Sequence, residues 1–229
     1  MKQKMIVITV LLFFAAALQA QSIDAFQIMH ARDGTLVITG YTGSEKDVVI
    51  PDTIFGITVT AIGDNAFAEK SLTSVIIPDT VTSIGNFAFC GNYLNELVFP
   101  SGITSIGQGA FQNNSLTSLS LPAGLTRVRT NAFNNNNLVE LIVPFGITRI
   151  EIGAFEYNNI SELTLPPGIV RIESRAFRDS NFTKLTLPEN MSEGIVRQHF
   201  GDHFANFYIS QNRAAGTYVF CGTIWRREF

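Results

Sequence analysis

The sequence is poor in charge, cysteine and histidine. Only 15% of its 229 residues are charged, against ~25% in an average globular chain. With 46% apolar residues, that composition excludes intrinsic disorder. Sixteen basic residues against 19 acidic ones leave a net charge of −3, so no electrostatic argument supports binding to nucleic acid. Two cysteines are too few for a disulfide framework or an all-cysteine zinc site. His199, Asp202 and His203 are the only clustered ligand-type residues. They lack the general base of a zinc-hydrolase motif and read as ordinary residues of a terminal cap. There is no G-x-S-x-G, P-loop or dinucleotide glycine pattern. No catalytic residue, metal site or cofactor is therefore assigned, and the chain is not expected to be an enzyme. The abundant residue is Phe, with 19 copies against a single Trp.

Residues 1–20 read as a secretory signal peptide. Lys2 and Lys4 open it, an apolar run follows from Met5 to Leu18, and Ala20 closes it before Gln21. The run is shorter than the ~20 apolar residues a bilayer-spanning helix needs. The chain is expected to be exported, to the cell surface, the medium or the periplasm, with no membrane span after cleavage. Charge is uneven beyond that point: residues 21–120 carry a net −6 and residues 121–229 a net +1.

A repeat dominates the rest. Phe67, Phe89, Phe111, Phe133, Phe155 and Phe177 are 22 residues apart, each preceded by Ala. Pro78, Pro100, Pro122, Pro144, Pro166 and Pro188 keep the same step, while Pro51 lies 27 residues before Pro78, placing a five-residue insertion near Thr53–Ile57. Each unit reads L-x-x-L-x-[apolar]-P, then two apolar residues three apart, then Ala-Phe and Asn. In the unit from Leu116 these are Leu119, Leu121, Pro122, Leu125, Val128, Ala132, Phe133 and Asn136. The alternation Leu119, Leu121 is the period of a strand with one buried face. Pro ends the strand because it cannot donate to a ladder. Leu125 and Val128 predict a second short extended piece, and Ala-Phe a tight turn. The column Asn92, Asn114, Asn136, Asn158 predicts left-handed turn residues or side chains bonded to backbone. A 22-residue unit is too short for a helix pair and cannot enclose a core alone. The fold class is therefore a mainly β solenoid, with parallel strands stacked at ~4.8 Å, short turns or 3-10 pieces, and β-rich caps.

The segments "LNELVFPSGITSIGQGAF" from Leu94 and "LTSLSLPAGLTRVRTNAF" from Leu116 resemble the leucine-rich repeats of the treponemal, or BspA-like, class. The resemblance covers roughly residues 45–203 and implies a leucine-rich-repeat solenoid. It also implies a bacterial cell-surface protein that adheres to host matrix proteins or to other cells. The alternative is a secreted or periplasmic envelope scaffold with no host ligand.

The flanks read as caps. Residues 21–44 hold an alternating run from Thr35 to Thr39 between glycines, read as a strand pair on the first coil. Residues 204–229 read as a β-hairpin cap, turning at Cys221-Gly222, in which Phe204, Phe207, Tyr218, Phe220 and Trp225 cover the last coil. Cys90 and Cys221 fall five coils apart, far beyond the ~7 Å Cα separation a disulfide tolerates, so both are expected as free thiols.

Candidate binding residues come from the outward strand positions. One column contains Glu96, Glu140 and Glu162, with Lys184 after them; the next contains Ile76, Val98 and Ile142. Carboxylates beside apolar residues on a broad sheet make a candidate protein-binding face, with ordinary β-propensity on a solvated sheet as the equal alternative. A second column, Ser83, Ser105, Arg127, Arg149, Arg171, stacks three Arg near Glu151 and Glu173. Self-pairing is its plain reading; the sharper one is a stripe for an acidic partner such as a sulfated glycan. Phe145, after a strand-ending Pro, is either an exposed contact or a residue tucked onto loop neighbours. The partners expected are thus a protein, either a host matrix glycoprotein or a bacterial surface protein, and a sulfated glycan.

Overall fold

The computed structural model describes residues 22–189 and 191–228; the expected signal peptide lies outside them. The chain winds into a solenoid of 22-residue coils. Each coil contributes an inner pair of short extended pieces, here called the A and B positions. The A ladder contains β3 (Asp47–Val49), β6 (Ser74–Ile76), β10 (Glu140–Ile142), β12 (Glu162–Thr164) and β14 (Lys184–Leu187). The B ladder contains β5 (Ile57–Ile62), β7 (Ser83–Ile84), β8 (Ser105–Ile106), β9 (Arg127–Val128), β11 (Arg149–Ile150) and β13 (Arg171–Ile172). Strands stack in parallel and in the register of the repeat: Glu140 opposite Glu162, Ser83 opposite Ser105, Arg127 opposite Arg149 and then Arg171. Strands this short have little stability of their own; the burial they share with neighbouring coils holds them.

The Phe column is the spine. Rings from Phe67 to Phe177 stack nearly parallel, with centroids 5.1–5.7 Å apart, and the alanines before them are all but inaccessible, because a larger side chain there would hold successive turns apart. The Asn column bonds to backbone as one of its two expected roles requires, but it is not left-handed. Asn136 Oδ1 accepts from the Leu116 amide at 3.0 Å, and its Nδ2 donates to the carbonyls of Phe111 and Phe133 at 3.0 and 3.2 Å. Asn92, Asn114 and Asn158 repeat the arrangement. The positive φ angles fall instead on two other columns, one including Asn65, Gly109, Asn131 and Gly153, the other Gly91, Asn113, Asn135 and Tyr157.

The A ladder is interrupted over two coils: residues 94–100 and 116–119 form no strand, and pairing resumes at the bridge between Ser120 and Ile142. In the first of the two, Phe99 takes the inward place that Leu121, Val143 and Leu165 fill in later coils. Its ring packs edge-on against Phe111 and Phe133, at 5.4 and 6.4 Å. The five-residue insertion is a hairpin: β4 (Thr53–Ile54) pairs with β5 through Phe55 (φ 52) and Gly56 (φ 76), the two positive φ values that a two-residue turn of this kind requires.

At the N-terminal end, β1 (Phe26–His30) and β2 (Leu36–Tyr41) form an antiparallel pair, and β2 joins β5 in parallel. Tyr41 lies on Phe67 with centroids 5.5 Å apart. The C-terminal end differs from the all-β reading. Residues 193–210 form a helix, α1 (Glu193–Ser210), kinked at Gly201 (φ 80, ψ 160) and capped by Ser192, whose hydroxyl accepts from the Ile195 amide. The signal was present as Val196, Phe200, Phe204 and Tyr208 at four-residue steps, the spacing of one helix face. Gly194 and Gly201 obscured it. The hairpin follows as β15 (Gly216–Phe220) and β16 (Trp225–Glu228), and β15 pairs antiparallel with β14, extending the A ladder. Phe220 pairs with Trp225, so the turn is the four residues Cys221–Ile224, not Cys221-Gly222 alone. Both thiols are free; Cys90 is half-buried, and burial raises its pKa.

Candidate interaction surfaces

The outward side of the A ladder carries the first set of candidate residues. Glu140, Glu162 and Lys184 are successive partners across β10, β12 and β14, with Lys184 Nζ 3.5 Å from Glu162. Ile142 lies beside Thr164 on β12 and bridges Ser120 on its other side. The hairpin adds Thr217 and Glu228, so that Glu140, Glu162, Lys184, Thr186, Thr217 and Glu228 line a groove of about 210 Å³. Strand alternation alone did not reveal that contribution, because it depends on β15 pairing with β14. Glu96 and Val98 lie in the interrupted stretch, not in the paired ladder; both are exposed. Ile76, on β6, is half-buried.

Ile142 and Phe145 belong to a concentration of exposed apolar side chains in one coil, whose other members the repeat pattern did not single out. Val139, Ile142, Phe145, Ile152 and Tyr157 all lie in the unit from Leu138 to Asn159, and Phe145 is 82% exposed. Phe145 is thus a free contact rather than a tucked side chain. Apart from Ile142, whose column also holds Ile76 and Val98, the signal available was departure from the column: Val139 stands where other coils have Asn95 or Thr117, and Phe145 where they have Ser101 or Ala123.

The B ladder brings Arg127, Arg149 and Arg171 side by side as expected, and two of them share one carboxylate. Glu173 accepts from Arg149 and lies 3.4 Å from Arg171 Nε. Its hydrogen bond from Arg149 holds the Glu173 carboxyl below the usual carboxylate range, and the same bond raises Arg149. Arg127 is paired more loosely, 3.8 Å from Glu151, whose carboxylate also accepts from the Thr130 amide at 3.1 Å. Further along, buried Glu156 is flanked by Arg178 at 3.5 Å and Arg175 at 3.9 Å.

No group of three metal-ligating side chains occurs among the described residues. His199 instead hydrogen-bonds the Ile172 carbonyl at 3.2 Å and meets the edge of Phe177. No helix among the described residues is long and apolar enough to cross a membrane.

Parallel strands in leucine-rich register, proline-ended and stacked on a Phe spine, define a leucine-rich-repeat solenoid. A family profile, the BspA type leucine rich repeat region, matches in six copies over residues 60–183 and 126–225; the chain belongs to this family. Among solved structures it is similar to a leucine rich cell surface protein from Faecalibacterium prausnitzii. The two are 26% identical with a TM-score of 0.55, over 74% of this chain and 56% of that one. The chain thus matches little more than half of that relative's length. It is also similar to a leucine rich repeat protein from T. pallidum, at 21% identity and TM-score 0.56, over 71% of this chain and 98% of that one. The pneumococcal vaccine antigen PcpA shares the fold at 22% identity and TM-score 0.56, over 70% of this chain and 46% of that one. No curated protein matches the chain.

Proposed function

We propose that this chain is an exported, non-enzymatic surface protein that binds a protein partner through the outward A face, in adhesion to host matrix glycoproteins or to bacterial surface proteins. The observation that carries this reading is the face itself. Carboxylates at Glu96, Glu140 and Glu162 alternate with the exposed apolar residues Val98 and Ile142, 66% and 58% accessible, on a framework that is ordered before binding. A rigid surface loses little conformational entropy on association, so many modest contacts add up to useful affinity. The 26% identity to a cell surface protein supports the location, and so does the signal-like start of the chain.

The test is binding of purified residues 21–229 to immobilised matrix glycoproteins, with and without Ile142→Asp. The side chain points to solvent, so the variant should fold normally and melt within error of the parent. Its affinity for a matrix protein should fall about tenfold or more, the scale of removing a central apolar anchor from an interface. Equal affinity of the two proteins would remove this face from the reading. No matrix binding at all would favour an envelope scaffold without a host ligand.

A further inference from the structure

The B ladder is open at one step. Elsewhere two amide–carbonyl bonds flank each B pairing. Thr82 donates to Thr60, Thr104 to Thr82, and Thr148 to Thr126, at 2.9 Å; Gly85, Gly107 and Glu151 donate to Ile62, Ile84 and Val128, at 2.8–2.9 Å. Between the coils of β8 and β9 both bonds are missing, as is the strand pairing itself: β8 ends one sheet and β9 another. The Thr126 and Arg129 amides, which would cross this step, have no backbone acceptor among the described residues, and the Thr104 and Ile106 carbonyls they would meet lack those donors. A groove of about 270 Å³ occupies the opening, lined by Thr104, Ser105, Ile106, Leu125, Thr126, Arg127 and Arg129.

The charge at this step is also distinctive. It is where the B column changes from Ser105 to Arg127 and the following column from Gly107 to Arg129. Arg149 and Arg171 share Glu173, but Arg127 has only the 3.8 Å contact to an already bonded Glu151. Arg129 is exposed and forms no ion pair among the described residues. The open step therefore offers two guanidinium groups, two backbone amides and the hydroxyls of Ser105 and Thr126 on one side of the balance, and two carbonyl acceptors on the other.

The geometry points to a binding groove for an acidic saccharide at the β8–β9 step. Such a ligand supplies both kinds of partner. Its sulfate or carboxylate accepts from Arg127, Arg129 and the free amides, and its hydroxyls donate to the Thr104 and Ile106 carbonyls. A simple anion would leave those carbonyls unanswered and be repelled by them, and a neutral sugar would leave the guanidinium groups to solvent. Charge-assisted bonds to planar guanidinium groups are the strong contacts in such a site. The groove lies on the B side of the coil, so this inference is independent of the A-face reading, and each can fail without the other.

The test uses the purified exported chain and four probes: a heparin hexasaccharide, a hyaluronan hexasaccharide, neutral maltohexaose and inorganic sulfate. The expected result is saturable binding of an acidic hexasaccharide, with no binding of maltohexaose and only weak binding of sulfate. Preference for heparin over hyaluronan would assign the oxyanion as sulfate, and the reverse as carboxylate. Arg127→Ala with Arg129→Ala should weaken binding by about tenfold or more, while Arg149→Ala with Arg171→Ala should change it by less than about threefold, since both side chains are engaged by Glu173 and neither lines the groove. A second readout is amide hydrogen exchange. Thr126 and Arg129 should exchange faster than Thr104 and Thr148 in the free protein and become protected by the saccharide. Equal losses in the two double variants would mean a diffuse basic stripe and overturn the groove. So would ligand-free protection of the Thr126 and Arg129 amides, or absence of binding by both acidic probes.

Discussion

At the residue scale, the side chain with the most bonds at stake is the buried Asn of each coil. Its amide group replaces a missing piece of backbone ladder, holding one amide and two carbonyls in a place where water does not reach. Asn136→Ala would leave the Leu116 amide without its side-chain acceptor and the Phe111 and Phe133 carbonyls without this donor. Each buried polar group so abandoned costs about 1–3 kcal/mol, so the variant should be destabilised by about 3 kcal/mol or more in chemical denaturation. A loss under about 1 kcal/mol would mean that water replaces the side chain at little cost. The column was legible in the sequence as a strict 22-residue step. Which of two Asn roles it plays was not, because Asn serves left-handed turns and backbone bonding equally well. Asn113 and Asn135, one residue before two members of the column, hold the positive φ angles. The decisive fact is which neighbour faces inward, and that follows from the path of the whole coil.

Among the elements, α1 is the part that repeat arithmetic could not reach, yet the arithmetic touches it. His199 lies 22 residues after Phe177 and covers the end of the Phe stack, edge-on and from a helix instead of a coil turn. Burial lowers its pKa from 6.5, outweighing the opposing effect of its hydrogen bond to the Ile172 carbonyl. The unfolded chain therefore takes up the proton first. The stability tied to neutral His199 is fully present above about pH 6.5 and is lost as pH falls through the lower folded value. Melting should consequently fall between pH 7.5 and pH 5.5. His199→Phe restores the column residue, removes the titration and should flatten that fall; scanning calorimetry at the two pH values would show it. The other two histidines, His30 and His203, are exposed. Identical pH dependence in the variant and parent would mean that α1 is not anchored through this contact. The helix was hidden by its glycines: Gly201 has a backbone that other residues adopt only under strain, and a glycine inside an apolar period reads as a break.

For the whole molecule, a solenoid has two ladders and therefore two pairs of ends, and what closes them sets its solubility. The period in the sequence specified the stacking of coils, but not the two places where strand pairing fails. The A ladder breaks in the coil where Phe99 stands in an aliphatic column and in the coil after it; the B ladder breaks where small Ser105 and Gly107 meet Arg127 and Arg129. Both are departures from a column, so they are visible in retrospect as exceptions, while their consequence depends on fit between neighbours. Closure at the C-terminal end combines both cap elements. β15 covers the edge of β14, and α1 buries Val196, Phe204, Ala205 and Tyr208. Ending the chain after Glu189 would strip that edge of its pairing and leave Phe177, Leu185 and Leu187, all now buried, at an open end. The truncated protein should melt earlier than the full chain and associate through β14, giving a higher mass by light scattering after gel filtration at equal concentration. Exposed edges of parallel strands recruit further strands because their amides and carbonyls are left without partners. If the truncated chain kept the mass and melting temperature of its parent, the last coil would have to be closed by its own side chains, and α1 with its hairpin would be an appendage to the solenoid and not its cap.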